Sequence, residues 1–170
     1  MRYFGAAFLL LLMISATHAQ GNRRSQQAAC EALVRHLYAI SAIQGRDVGQ
    51  ANLAAFHQFG RGGLSKNEEE AARLYRLAAE QGNVRAQNNL AVFYANGRGG
   101  LPKDEDEAAR LFQLAADRDS TEGRINLKWM NKDGGGDPAL LIYDLPQRSN
   151  CTVHRVQRQG HSVPVITVAP

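Results

Sequence analysis

Asn52-Leu53-Ala54-Ala55-Phe56, Gly60-Arg61-Gly62-Gly63-Leu64 and Glu70-Ala71-Ala72-Arg73-Leu74 each return 37 residues later. The returning stretches are Asn89-Leu90-Ala91-Val92-Phe93, Gly97-Arg98-Gly99-Gly100-Leu101 and Glu107-Ala108-Ala109-Arg110-Leu111. Aligning residues 52–79 with 89–116 gives 19 identities in 28 positions. A fixed period of this size marks a helical solenoid, in which each unit buries its apolar face only against its neighbours. Ala71, Leu74, Tyr75 and Ala78, and their copies Ala108, Leu111, Phe112 and Ala115, fall at helical spacing. Gly60 and Gly97 supply the left-handed residue that ends a helix. Asn67 and Asp104 stand as N-caps, with Glu70 and Glu107 three residues on. Each copy therefore reads helix, glycine turn, helix. The first helices are expected over 50–59 and 87–96, and the second over 68–81 and 105–118.

Moving outward, Leu37-Tyr38 aligns with Leu74-Tyr75 and Gln44-Gly45 with Gln81-Gly82. Residues 29–44 thus read as a degenerate second helix that caps the stack, since terminal repeats differ from internal ones. Residues 20–28 are polar and expected to be flexible. On the other side Asn126-Leu127 and Gly134 keep the register, giving a partial repeat over 122–134. The copy then fails at Asp137-Pro138, and 137–170 is left as a capping segment and basic tail. A short helix over 139–143 and a buried strand at Leu140-Leu141-Ile142 compete there. From Leu145 the chain has Arg148, Arg155 and Arg158 and no acid. Two β-like runs flank Gln159-Gly160, with Pro164 restricting the second to an edge, so a hairpin and a loose tail are both open.

Arg2, the apolar run Phe4 to Ile14 and Thr17-His18-Ala19 have the order of a secretory leader cleaved after Ala19. The run is shorter than the ~20 residues a membrane-spanning helix needs. Loss of 1–19 removes one charged residue, Arg2, so the net charge goes from +4 to +3. The expected address is the periplasm or full secretion. An oxidising compartment would let Cys30 and Cys151 pair, while two separate thiols is the alternative. The calculated pI of 9.3 invites a nucleic-acid reading. Export and the lack of aromatics interleaved with the tail arginines argue against it.

Ala86-x-x-x-Leu90-Ala91-x-x-Tyr94-x-x-Gly97-x-Gly99 and Ala108-Ala109-x-Leu111-Phe112-x-x-Ala115-Ala116 resemble the Sel-1-like repeat, a branch of the tetratricopeptide superfamily. His57 stands where that family has tyrosine, and Asp119 where it has glycine. The resemblance covers 45–134 and implies an all-α, right-handed α-solenoid of antiparallel helix pairs with a concave face. It also implies a binding scaffold, with roles such as restraining a sensor kinase or organising polysaccharide export.

On the first helices Asn52, Asn89 and Asn126 occupy equivalent places. They read either as an amide ladder for an extended ligand or as bonds between neighbouring helices. Gln87, Asn88, Val92, Arg124 and Trp129 complete the expected concave surface; Trp129 serves as a binding anchor or as the seal of the core's end. The acidic runs at 68–70 and 104–107 sit where the helix dipole favours anions, which accounts for them without a cation site. Cys151, His154 and His161 match no strong zinc spacing. With no nucleophile elbow, phosphate loop or metalloprotease motif, no catalytic residue, metal or cofactor is expected. The expected function is a non-catalytic adaptor for a protein or peptide of the bacterial envelope. A small periplasmic hydrolase or carbohydrate-active enzyme is one alternative. A structural protein holding anionic envelope polysaccharide through its basic tail is another.

Overall fold

The structure, a computed structural model, describes residues 25–133, 151–158 and 161–168, with side chains over 25–130. Six helices come first: α1 (25–43), α2 Asp47–Phe59, α3 Glu68–Glu80, α4 Val84–Asn96, α5 Glu105–Ala116 and α6 Thr121–Asp133. Strands β1 Cys151–Arg158 and β2 His161–Val168 follow. These residues fall into two compact units, divided within α1. One holds 33–133, the other 25–32 with the two strands. The leader, Ala19 and the capping segment at 137–143 lie outside the described residues.

The helical unit is an all-α solenoid in which sequence neighbours pack as pairs, α2 on α3, α3 on α4, α4 on α5 and α5 on α6. Local chemistry sets the helix ends. Asn67 and Asp104 accept the Glu70 and Glu107 backbone N–H groups, at 3.0 and 2.9 Å. The reciprocal half of a capping box is absent, because Glu70 and Glu107 turn outward to Arg73 and Arg110. The cap N–H groups go instead across the turn, from Asn67 to the His57 carbonyl and from Asp104 to that of Tyr94. Two first-type helices start earlier than expected, at Asp47 and Val84. For α4 the reason is Asn83, whose side chain caps Ala86 N–H. Ser120 repeats this for α6 through Gly123 N–H. Residues 25–28, expected to be flexible, are the first turn of α1.

Within the helical unit the seam between repeats is built on small side chains. Ala54, Ala71, Ala78, Ala86, Ala91, Ala108 and Ala115 are wholly buried. They let backbones approach while Leu74, Phe93, Leu111 and Phe112 fill the volume between them. Tyr75 meets Phe93 edge-on, with ring centroids 5.8 Å apart. The capping helix repeats this contact more loosely, Tyr38 lying 6.2 Å from Phe56. At Gly99 one repeat's turn comes up against the backbone of the preceding second helix. This glycine's φ is +62°, and a Cβ there would lie 2.5 Å from the Glu68 carbonyl oxygen.

In the second unit β1 and β2 pair antiparallel, from Cys151 with Val168 to Arg158 with His161. Pro164, opposite Arg155, is tolerated because each strand of a two-stranded sheet is an edge. Cys151 and His161 stand at opposite ends of the hairpin. Cys30 is buried and disulfide-bonded.

Gly99→Ala should lower unfolding free energy by about 3 kcal/mol, combining left-handed strain with overpacking at the seam. Gly100→Ala, whose Cβ would meet only the Glu69 side chain at 3.7 Å, should cost about 1 kcal/mol. Urea unfolding of both variants makes the comparison.

Candidate functional site

The residues expected on an open concave face are mostly inside. Asn52, Asn88, Asn89, Asn126 and Val92 are buried, Asn88 and Asn126 to 0% and 1% exposure. Asn52 Nδ2 donates to the Val48 carbonyl of its own helix at 2.8 Å. The other three amides join a polar spine through the stack. Tyr75 Oη donates to Gln58 Oε1 at 2.7 Å and accepts from Asn89 Nδ2 at 3.0 Å. Asn88 Nδ2 lies 3.4 Å from Asn89 Oδ1, and Asn126 Nδ2 donates to Asn88 Oδ1 at 2.9 Å. Asn89 and Asn126 thus bond to neighbouring helices, Asn52 bonds within its own, and all three are buried. Arg124 is exposed, with Asp119 at 3.7 Å, and Trp129 is 45% exposed. Trp129 is thus far more exposed than Asn126, one turn before it on α6.

A groove of about 510 Å³ opens elsewhere. Its walls are the second-type helices α3 and α5, and Gln87, Leu90 and Tyr94 of α4 line it between them. Gln87 alone is shared with the expected surface. It is 4% exposed, and its Nε2 donates to the Ala79 carbonyl at 3.3 Å. That bond fixes the amide orientation, and Oε1 is left buried with no partner. An unmet buried acceptor costs about 1–3 kcal/mol. Three such side-chain atoms occur among the described residues: His57 Nδ1, Gln58 Nε2 and Gln87 Oε1. Gln87 is the one that lines the groove.

The preceding repeat shows how the acceptor came to be free. Gln50 holds the place of Gln87 one period earlier, and its Oε1 accepts from Gln81 Nε2 at 2.7 Å. The residue one period after Gln81 is Arg118. Its guanidinium turns to the Gly82 carbonyl instead.

The Sel1 repeat family model matches this chain twice, at residues 48–83 and 84–120. The chain carries two Sel1-like repeats. Its fold is similar to the crystal structure of a Sel1 repeat protein from Oxalobacter formigenes. The two are 28% identical with a TM-score of 0.56, over 62% of this chain and 42% of that one. It is also similar to a protective antigen present in uropathogenic Escherichia coli strains and displaying an SLR fold. That match is 23% identical with a TM-score of 0.35, over 59% of this chain and 29% of the other. The chain thus spans less than half the length of either solved relative. No curated protein matches it. Sel1 repeat proteins are generally protein-interaction scaffolds.

Charge in the two Sel1-like repeats divides into paired and unpaired groups. Arg73 with Glu70 and Arg110 with Glu107 form two-point ion pairs one turn apart. Hydrogen bonding by Arg73 holds the Glu70 carboxyl below its ordinary range. Glu68 ties one repeat to the next, accepting from Arg98 at 2.6 and 3.2 Å while that guanidinium lies 4.9 Å over the Phe93 ring. The Arg98 bonds bring the Glu68 carboxyl down to about 2. In the groove Arg76, Glu80 and Arg118 are exposed. Arg76 reaches only the Tyr94 hydroxyl, at 3.5 Å. Burial lowers the pKa of His57, while His36 is exposed. No cluster of three metal-binding side chains occurs, and no helix is long and apolar enough to cross a membrane, among the described residues. The groove had one signal in the sequence: the exchange of Gln81 for Arg118, a departure from the repeat that alignment by identities passes over.

Tyr75→Phe, which removes the hydroxyl shared by Gln58 and Asn89, should cost about 2–3 kcal/mol in urea unfolding. Glu68, depressed from 4.5 to about 2, stabilises the fold fully above its unfolded value, and this contribution is lost as pH falls between them. Arg98→Met should therefore flatten the acid limb of stability against pH in that window, which unfolding titrations at stepped pH will show.

Proposed function

We propose that this protein is a non-catalytic adaptor of the bacterial cell envelope that holds a polypeptide partner in the groove between α3 and α5. One observation carries the reading: the buried, unmatched Gln87 Oε1 at a groove of about 510 Å³. Ligand grooves combine apolar walls with a few placed polar atoms, and volumes of roughly 300–1,000 Å³ are usual. Ala79, Leu90, Leu111 and Leu114 supply the apolar part here. The repeat family supports a protein as the occupant, and the leader-like residues 1–19 support an envelope address. A signalling or polysaccharide-export assembly is the setting in which such an adaptor would act. The expected concave surface does not support the reading as well, because its amides are buried and bonded within the stack.

Leu114 lies at the groove and is 37% exposed, so Leu114→Trp should fill the opening without disturbing the stack. Partner recovery from envelope extracts should fall about tenfold or more, as for a blocked interface centre, at unchanged helix content. Undiminished recovery would reject the groove, and a cytoplasmic location on cell fractionation would reject the address.

A further inference from the structure

The chemistry of the groove narrows what it holds; the step rests on the groove being the docking site. We infer that its occupant is an extended acidic segment of the partner polypeptide. A backbone N–H of that segment is accepted by Gln87 Oε1, and a carboxylate sits between Arg76 and Arg118.

Gln87 Oε1 is an acceptor, so the missing partner is a donor. A lysine or arginine side chain could donate, but Arg76 and Arg118 beside the same groove oppose a second cation. A backbone N–H donates without bringing charge. Arg110 and Glu107 cancel each other in a two-point pair. The groove charges left over are then Arg76 and Arg118 against Glu80, a net of +1. Arg76 spends little of its capacity on a 3.5 Å contact with Tyr94 Oη. Arg118 gives one nitrogen to the Gly82 carbonyl and has others to offer, since a guanidinium carries five N–H donors.

The repeat next door is the internal comparison. There Gln81 fills the acceptor of Gln50 from within, and the positions matching Arg76 and Glu80 are Ala39 and Ile43. The groove therefore differs from the same place one repeat earlier in three ways: it gains two arginines, gains Glu80, and loses the amide bond that would occupy the acceptor. Each change alone would read as drift. Together they prepare one surface for an anion with a donor beside it.

The test is selection from a random peptide display library with the full-length protein, followed by titration of synthetic copies of the recovered peptides. Recovered sequences should be rich in Asp and Glu. Arg118→Gln, which restores the Gln81-like partner for Gln87, should weaken binding about tenfold while raising the melting temperature. Gln87→Leu should weaken binding similarly with both arginines in place. Arg118→Lys should retain most affinity, Glu80→Gln should raise it, and added salt should lower it. Recovery of neutral or basic peptides still lost in Leu114→Trp would overturn the acidic preference and leave the groove standing. Acidic binders indifferent to both Gln87→Leu and Arg118→Gln would overturn the hydrogen-bond assignment. Binders indifferent to Leu114→Trp would overturn the groove itself.

Discussion

A helix covered on all sides must find partners for every polar atom it carries, and α4 is such a helix. Every residue from Ala86 to Phe93 is buried, including Gln87, Asn88 and Asn89. Three adjacent amides in a core would be costly if left alone. The stack is therefore arranged around them: Tyr75 from α3 meets Asn89, Asn126 from α6 meets Asn88, and the Ala79 carbonyl meets Gln87. Alanine makes this possible, because only small side chains bring the helices close enough for short amides to bridge them. Cohesion and recognition thus come from the same row of residues. Where the row is fully matched it joins helices, and where one atom is left over it faces the groove.

The repeats also divide labour along the chain. Around Gly99, Glu68 and Arg98, backbone approach and a two-point ion pair hold successive units in register. At the other end of the second helices, Gln81 and Arg118 decide whether the neighbouring amide is satisfied from within. A short solenoid can vary the second place without disturbing the first. The two are separated by the length of a helix of about a dozen residues, roughly 18 Å.

Much of the fold was legible because its rules are local. The 37-residue period, the left-handed Gly60 and Gly97, and the caps Asn67 and Asp104 each follow from chemistry within a few residues. The candidate site was harder, for a physical reason. Facing is read from a polar and an apolar side, and α4 offers none because both sides are covered. Asn89 toward solvent and Asn89 toward Tyr75 look alike in sequence. The start of α4 at Val84 follows from the Asn83 cap, whereas Arg46 before α2 makes no side-chain cap bond. Gln87 was placed on a binding surface by its neighbours, and it does line a groove, but a different one.

The spine has a bearing on how such an array changes by recombination. Tyr75 becomes Phe112 in the second copy and Ala51 becomes Asn88, so the hydroxyl lost on one helix is answered by an amide gained on another. The near-identical glycine turns invite crossing-over, and a deletion that joined Gly62 to Gly100 would remove one period while keeping repeat length, caps and apolar stripes correct. It would nevertheless set Gln58 against Phe112 and Asn126 against Ala51, stranding two amides in the interior. Duplicated modules that look interchangeable have become a lineage with a fixed order, able to lengthen at their ends more readily than in their middle.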